Sequence, residues 1–312
     1  MTGAGNADVV EISDTTVRLA DGRKVAVWRT GPATPVEPRR IAIVAPGFAR
    51  RMRHTAAIAR YLVDNGFVVY RCDYANHVGL SDGDIWNFTI GATYDSLLAL
   101  HEHALETEQT QDVVFIASSL SARTCFRLAA QRSGISGIAA LVGVVDTRYT
   151  LERVFEFDHG ARHPAEIGDE EFVSFEGKRI QSRPFSENWR DGGWLNVEDT
   201  ELDLARAGCP VVNFCGSSDD WIDIAEVRRV FALGDSSRRV VELPFVEHEL
   251  SRNPVAAQTI LRELTRCALE FTGAADGVEI VETPFTSLAA QIPYERKFET
   301  SHEGHLRDFP EL

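Results

Sequence analysis

The segment 113–129, VVFIASSLSARTCFRLA, carries an apolar run into a helical pattern through Ala117-Ser118-Ser119-Leu120-Ser121. A serine on a sharp strand-to-helix turn presents its hydroxyl for attack on a carbonyl. Such a turn needs small residues two positions before and two after, because strand and helix approach closely there. Ser119 meets this with Ala117 and Ser121. Ser118 would put Ile116 and Leu120 at those positions, and Ser121 would put Arg123 at one of them. Serine is also favoured as a plain helix cap, so the segment gains chemical meaning only with a base and an acid.

The hydroxyl needs a base to take its proton, and the base needs an acid to orient it. The apolar run 210–215 leads into Gly216-Ser217-Ser218-Asp219-Asp220-Trp221-Ile222, which sets Asp219 just past a predicted strand, with Asp220 and Asp223 as rivals. The run 239–244 leads into Phe245-Val246-Glu247-His248-Glu249, and His248 is the one histidine between His163 and His302. Alone, the first is also a solvated Ser/Asp turn and the second a loop histidine. Together, Ser119, Asp219 and His248 follow the chain order of α/β-hydrolases, in which nucleophile, acid and base each lie past the carboxyl end of a strand.

An oxyanion forming at the carbonyl needs preorganised backbone donors. The N–H after the nucleophile belongs to Leu120, and the loop Pro46-Gly47-Phe48 after a buried strand offers the N–H of Phe48. That loop continues through Arg50, Arg51 and Arg53, three cations that suit a phosphate-bearing substrate arm or an acidic carrier protein, or simply an exposed helix start. Residues 72–81, CDYANHVGLS, resemble the D-x-x-G-x-G-x-S turn of many α/β-hydrolases, with His77 in a structural place. His101 and His103 flank Glu102 on a predicted helix with no further ligand set, and read as surface residues; no metal or cofactor is expected.

The elements that must position these residues follow from periodicity. Alternating apolar residues at 9–19 and 24–30 around Asp21-Gly22 predict a hairpin. Continuous apolar runs at 40–46, 67–72, 112–117, 138–145, 210–215 and 239–244 predict strands buried on both faces. Helical patterns at 54–65, 91–108, 121–131 and 254–271 alternate with them. The fold class is therefore α/β, an α/β-hydrolase fold with a mostly parallel sheet. The alternation stops between about 149 and 204, an acidic stretch with Trp189 and Trp194. This predicts a first core part at 1–148, an inserted cap at 149–205, a second core part at 206–273 and a polar C-terminal tail at 274–312, either wrapped on the core or mobile.

Composition sets outer bounds. The 47 acidic against 32 basic residues give a net charge of −15, which disfavours nucleic acid or an anionic membrane as partner. Five cysteines in no disulfide or zinc spacing suit a reducing compartment. The polar N-terminus is unlike a signal or transit peptide, and no apolar run reaches the ~20 residues of a membrane helix. A soluble cytoplasmic protein is expected.

The stretches PGFARRMRH (46–54), YLVDNGFVVYRCDYANHVGLSDG (61–83), IASSLSAR (116–123), VGVVDTRYTLE (142–152), SSDDWI (217–222) and His248-Glu249-Leu250 resemble, in order, the fatty-acyl transferase family of bacterial luminescence, thioesterases acting on acyl carrier protein. Within 153–205 the resemblance is confined to Phe175-Glu176-Gly177. It implies Ser119 as nucleophile with Asp219 and His248, and cleavage of an acyl thioester through an acyl-serine, with release of the acid or transfer to an acceptor. A carboxylesterase, a polyketide-type cyclase or acyltransferase, and a catalytically silent ligand-binding fold stay open as alternatives.

Overall fold

The protein is described by a computed structural model over residues 9–34, 37–158, 160–234, 237–248, 254–274 and 278–301. The polar N-terminal residues 1–8, Glu249 and Leu250 of the family-like segment, and the tail from 302 onward lie outside the described residues. In chain order the elements are β1 (Ile12–Arg18), β2 (Lys24–Thr30), β3 (Arg40–Ala45), α1 (Ala56–Asp64), β4 (Phe67–Cys72), α2 (Ile90–Glu108), β5 (Val113–Ser118), α3 (Leu120–Gln131) and β6 (Ile135–Leu141). The inserted region contains α4 (Thr147–Phe155), β7 (Phe172–Phe175), β8 (Lys178–Gln181), α5 (Ser182–Asp191) and α6 (Val197–Arg206). The chain then forms β9 (Val211–Gly216), α7 (Ile224–Ala232), β10 (Arg238–Leu243), α8 (Pro254–Phe271) and α9 (Phe285–Ser301).

Eight strands form one sheet in the order β1-β2-β4-β3-β5-β6-β9-β10. The hairpin β1–β2 joins it antiparallel through β4, and the six strands from β4 to β10 are parallel. Strand period divides the core: Ile41, Ile43, Val113, Phe115 and Ala117 pack with α2, α3 and α7, while Ala42, Val44, Val114 and Ile116 pack with α1 and α8. Strands buried on both faces need no polar alternation, which is why their sequences read as continuous apolar runs. Chain order reverses between β3 and β5, and ligands of such sheets bind at that switch point, outside the carboxyl ends of the strands.

Three expectations need correction. The strand placed at 138–145 runs instead from Ile135 to Leu141; at Val142 the backbone turns to φ 46°, and Asn213 then holds Gly143 through both its backbone groups. His101 is buried rather than on the surface: it lies on the α2 face that carries Leu97, Leu100 and Ala104, its ring 5.9 Å from Phe115 and its Nε2 meeting the Gly134 carbonyl. Helix α7 is an element the apolar pattern did not predict. No helix among the described residues is long and apolar enough to cross a membrane.

The C-terminal segment wraps back on the core as α9. Its inward face is polar: Ser287, Gln291, Glu295 and Glu299 recur every four residues and all are buried. Gln291 accepts from the Val10 N–H and donates to its carbonyl. Glu295 pairs bidentately with Arg71 on β4 at 2.8 and 3.0 Å, both side chains at most 1% exposed. Tyr294 and Phe298 pack on Trp28 and Met52. A buried pair contributes little net stability while intact, because desolvation offsets its attraction, but removing one partner leaves the other charge buried and unpaired. Glu295→Ala is expected to lower unfolding stability by about 3–5 kcal/mol, read by chemical denaturation, with Glu295→Gln milder because its amide oxygen still accepts from Arg71; equal stability of Glu295→Ala and wild type would refute this account of α9.

Candidate active site

Ser119 stands between β5 and α3 with φ 52° and ψ −123°, a left-handed conformation that costs an L-residue about 1–3 kcal/mol. Hydrogen bonds fix it there: its N–H donates to the Leu141 carbonyl at 2.8 Å, and its carbonyl accepts from Ala122 and Val144 N–H. Ala117 pairs in register with Ala45 and Ala140. The Ser121 hydroxyl donates to the Pro46 carbonyl at 2.5 Å, with Tyr74 Oη 2.9 Å away. A larger side chain at 121 would displace the end of β3, which is the physical content of the small-residue requirement.

The three residues singled out in sequence come together. His248 Nε2 lies 2.9 Å from Ser119 Oγ, and its Nδ1 lies 2.8 Å from Asp219 Oδ2. A carboxylate only accepts, so Nδ1 carries the proton and Nε2 is left to accept from the serine hydroxyl. The Asp219 side chain is 1% exposed, and its Oδ1 accepts from the Trp221 N–H at 2.9 Å. The Trp221 ring lies over His248 with centroids 4.6 Å apart, and its carbonyl is held by Thr150 of α4. Of the rivals, Asp223 caps α7 and Asp220 is exposed. The part played by Trp221 was not read from the sequence, where an aromatic after two aspartates carries no signal of its own.

The Gly47–Arg50 loop follows β3, next to the Ser119 turn. Its shape depends on Ala49, which has φ 58° and donates its N–H to His77 Nε2 at 2.9 Å. Neither the Phe48 nor the Leu120 N–H has a protein acceptor among the described residues. Downstream, the buried Asp73 accepts from Met52 N–H at 2.7 Å and Leu80 N–H at 2.8 Å. Burial lifts its carboxyl to about 6. Gly79 at φ 122° passes so close to Asp73 that a Cβ there would fall 2.0 Å from Oδ2. That approach accounts for the glycine in the motif at 72–81.

These loops open on a cavity of about 520 Å³ whose walls include Ser119 and His248. Its apolar wall is mainly Phe48, Phe88, Phe155, Phe175, Phe185 and Trp221, with Leu151 and Val154 from α4. The region between β6 and β9 thus closes the site through a cluster shared with Phe88 and Ile90, in which Ile180, Phe185, Trp189 and Trp194 are buried. The three arginines part company. Arg50 lines the cavity and pairs bidentately with Glu176 of the β7–β8 hairpin. Arg51 and Arg53 turn toward the buried Glu299 of α9, at 3.5 and 2.6 Å.

His77 is buried and its imidazole is pushed down to about 3, because burial disfavours the charged ring. Its folded value lies below that of an unfolded histidine, so the unfolded chain binds the proton first and stability falls as pH drops from about 6.5 toward 3. Replacing His77 by Gln is expected to make the slope of unfolding free energy between pH 6 and 4 shallower by about 1.4 kcal/mol per pH unit; a slope identical to wild type would sink the assignment of a neutral, locked imidazole.

The family model described as acyl transferase matches residues 11–303. The acyl transferase of Photorhabdus luminescens is 33% identical over 297 residues, covering 94% of this chain and 95% of its own. That of Vibrio harveyi is 31% identical over 292 residues, covering 92% and 94%. Among solved structures, Est1E from Butyrivibrio proteoclasticus with ferulic acid bound superposes with a TM-score of 0.65 at 19% identity, over 83% of this chain and 97% of that one. The monoacylglycerol lipase of Paleococcus ferrophilus gives 0.59 at 18%, over 78% and 99%. The neighbours share the α/β-hydrolase fold, and a match of this length to relatives this similar makes the chain a member of the acyl transferase family.

Proposed function

We propose that the protein is a serine acyl-transfer enzyme that cleaves an acyl thioester carried by coenzyme A or an acyl carrier protein. The observation that carries the reading is the hydrogen-bonded series Asp219–His248–Ser119 opening on an apolar cavity. Ser119 Oγ attacks the thioester carbonyl while His248 Nε2 takes its proton. Asp219 holds the tautomer and balances the charge on the imidazolium. The Phe48 and Leu120 N–H groups receive the oxyanion, a contribution that typically reaches about 3–4 kcal/mol per donor. As the intermediate collapses, the C–S bond breaks, His248 returns the proton to the leaving thiol, and the acyl group stays on Ser119. Water or another hydroxyl acceptor, deprotonated by the same imidazole, then releases it.

The rings of the cavity suit a long apolar acyl group. Arg50, Arg51 and Arg53 each pair with an acid, Glu176 or Glu299, so an acidic carrier or a phosphate-bearing arm would have to compete for guanidinium groups that already have counter-charges. A second reading, hydrolysis of carboxylic esters, is favoured by solved neighbours named as esterases. Intact-mass measurement after incubation with a panel of acyl thioesters is expected to show an acyl adduct on wild type and none on Ser119→Ala, with turnover of the variant reduced by about 10⁶-fold. An adduct that persists in Ser119→Ala overturns the nucleophile; turnover of oxygen esters alone moves the assignment to the second reading.

A further inference from the structure

The β7–β8 hairpin has Phe175 paired with Lys178 across a two-residue turn, Glu176-Gly177. Both turn residues have left-handed φ, 47° and 74°, the geometry of a tight type I′ turn. Its base is anchored by Ile180, which is fully buried in the core of the inserted region. Its tip reaches the catalytic loops. The Phe175 ring lies 5.2 Å from Phe48 on the oxyanion-side loop and 5.7 Å from Trp221 on the acid loop, and Trp221 in turn covers His248. Glu176 grips Arg50, two residues past Phe48, at 2.6 and 2.8 Å. Both partners of that pair are more than a third exposed, so it adds little to overall stability and its effect is on where the tip sits.

We propose that Phe175-Glu176-Gly177 is the gate that sets the size of the accepted acyl group: Phe175 closes the cavity between the two catalytic loops, and the Arg50–Glu176 pair holds it there. The inference rests on the acyl-serine reading above. A ring wedged between Phe48 and Trp221 limits the depth open to an acyl chain lying against Ser119, and a bidentate guanidinium–carboxylate contact fixes it in direction as well as distance.

The test compares kcat/KM for acyl-CoA thioesters of graded chain length in wild type, Phe175→Ala, Phe175→Trp and Glu176→Gln, with fluorophosphonate labelling of each protein as a separate readout of Ser119. Phe175→Ala is expected to move the preferred chain longer and Phe175→Trp shorter, each changing the ratio between long and short substrates by about tenfold. Glu176→Gln is expected to flatten the preference, and raised salt is expected to do the same in wild type by screening the exposed pair. The tip is partly exposed, so Glu176→Gln keeps the test decisive should loss of the ring unfold the insertion. An unchanged chain-length preference in labelled variants overturns the gate alone. Wild type that neither labels nor turns over any thioester overturns the acyl-serine reading and the gate with it.

Discussion

The arrangement depends on one backbone conformation, the left-handed φ of Ser119 at the junction of β5 and α3. A residue held there loses the freedom to relax into strand or helix, and its hydroxyl stands clear of both. The hydrogen bonds to Leu141 and from Val144 tie the turn to the end of β6 and to the residues just past it, so a buried neighbouring segment supplies the restraint. The same turn favours small residues at 117 and 121, and it sets the end of β3 and its loop close to Ser119. Much of the remaining architecture can be understood as holding Asp219 and His248 against a serine that cannot move.

How far the sequence could be read follows from the same physics. Strands buried on both faces give continuous apolar runs, and β3, β4, β5, β9 and β10 lie within a residue or two of where such runs place them. Ser119, Asp219 and His248 were legible because each lies past the end of such a run and their order along the chain restricts the choices. Strand β6 was harder: Val142, Val144 and Val145 prolong the apolar run although the backbone turns away at Val142, because these valines are buried by tertiary packing instead. His101 misled for the converse reason, since a titratable side chain beside Glu102 looks solvated until α2 is turned to face the sheet.

Helix α9 shows where hydropathy fails altogether. Its buried face is Ser287, Gln291, Glu295 and Glu299, so a search for an apolar stripe finds none. What holds it are partners far away in sequence, Val10, Arg71 and the arginines at 51 and 53. Pairing of this sort is specific but invisible locally, because neither the acid nor its base reveals burial in its own segment. The insertion has a related difficulty. Its core is aromatic and shared with Phe48 and Phe88, and no single segment of it shows a sustained period.

The clasp between α9 and the early loop orders events in time. Residues 47–53 leave the ribosome long before Glu295 and Glu299 do, yet those acids are the buried counter-charges of Arg71, Arg51 and Arg53. A nascent chain that has passed residue 248 already carries Ser119, Asp219 and His248, while residues 47–53 still lack their last restraints. The loop after β3 thereby reaches its final shape only once the polypeptide has been made past residue 299.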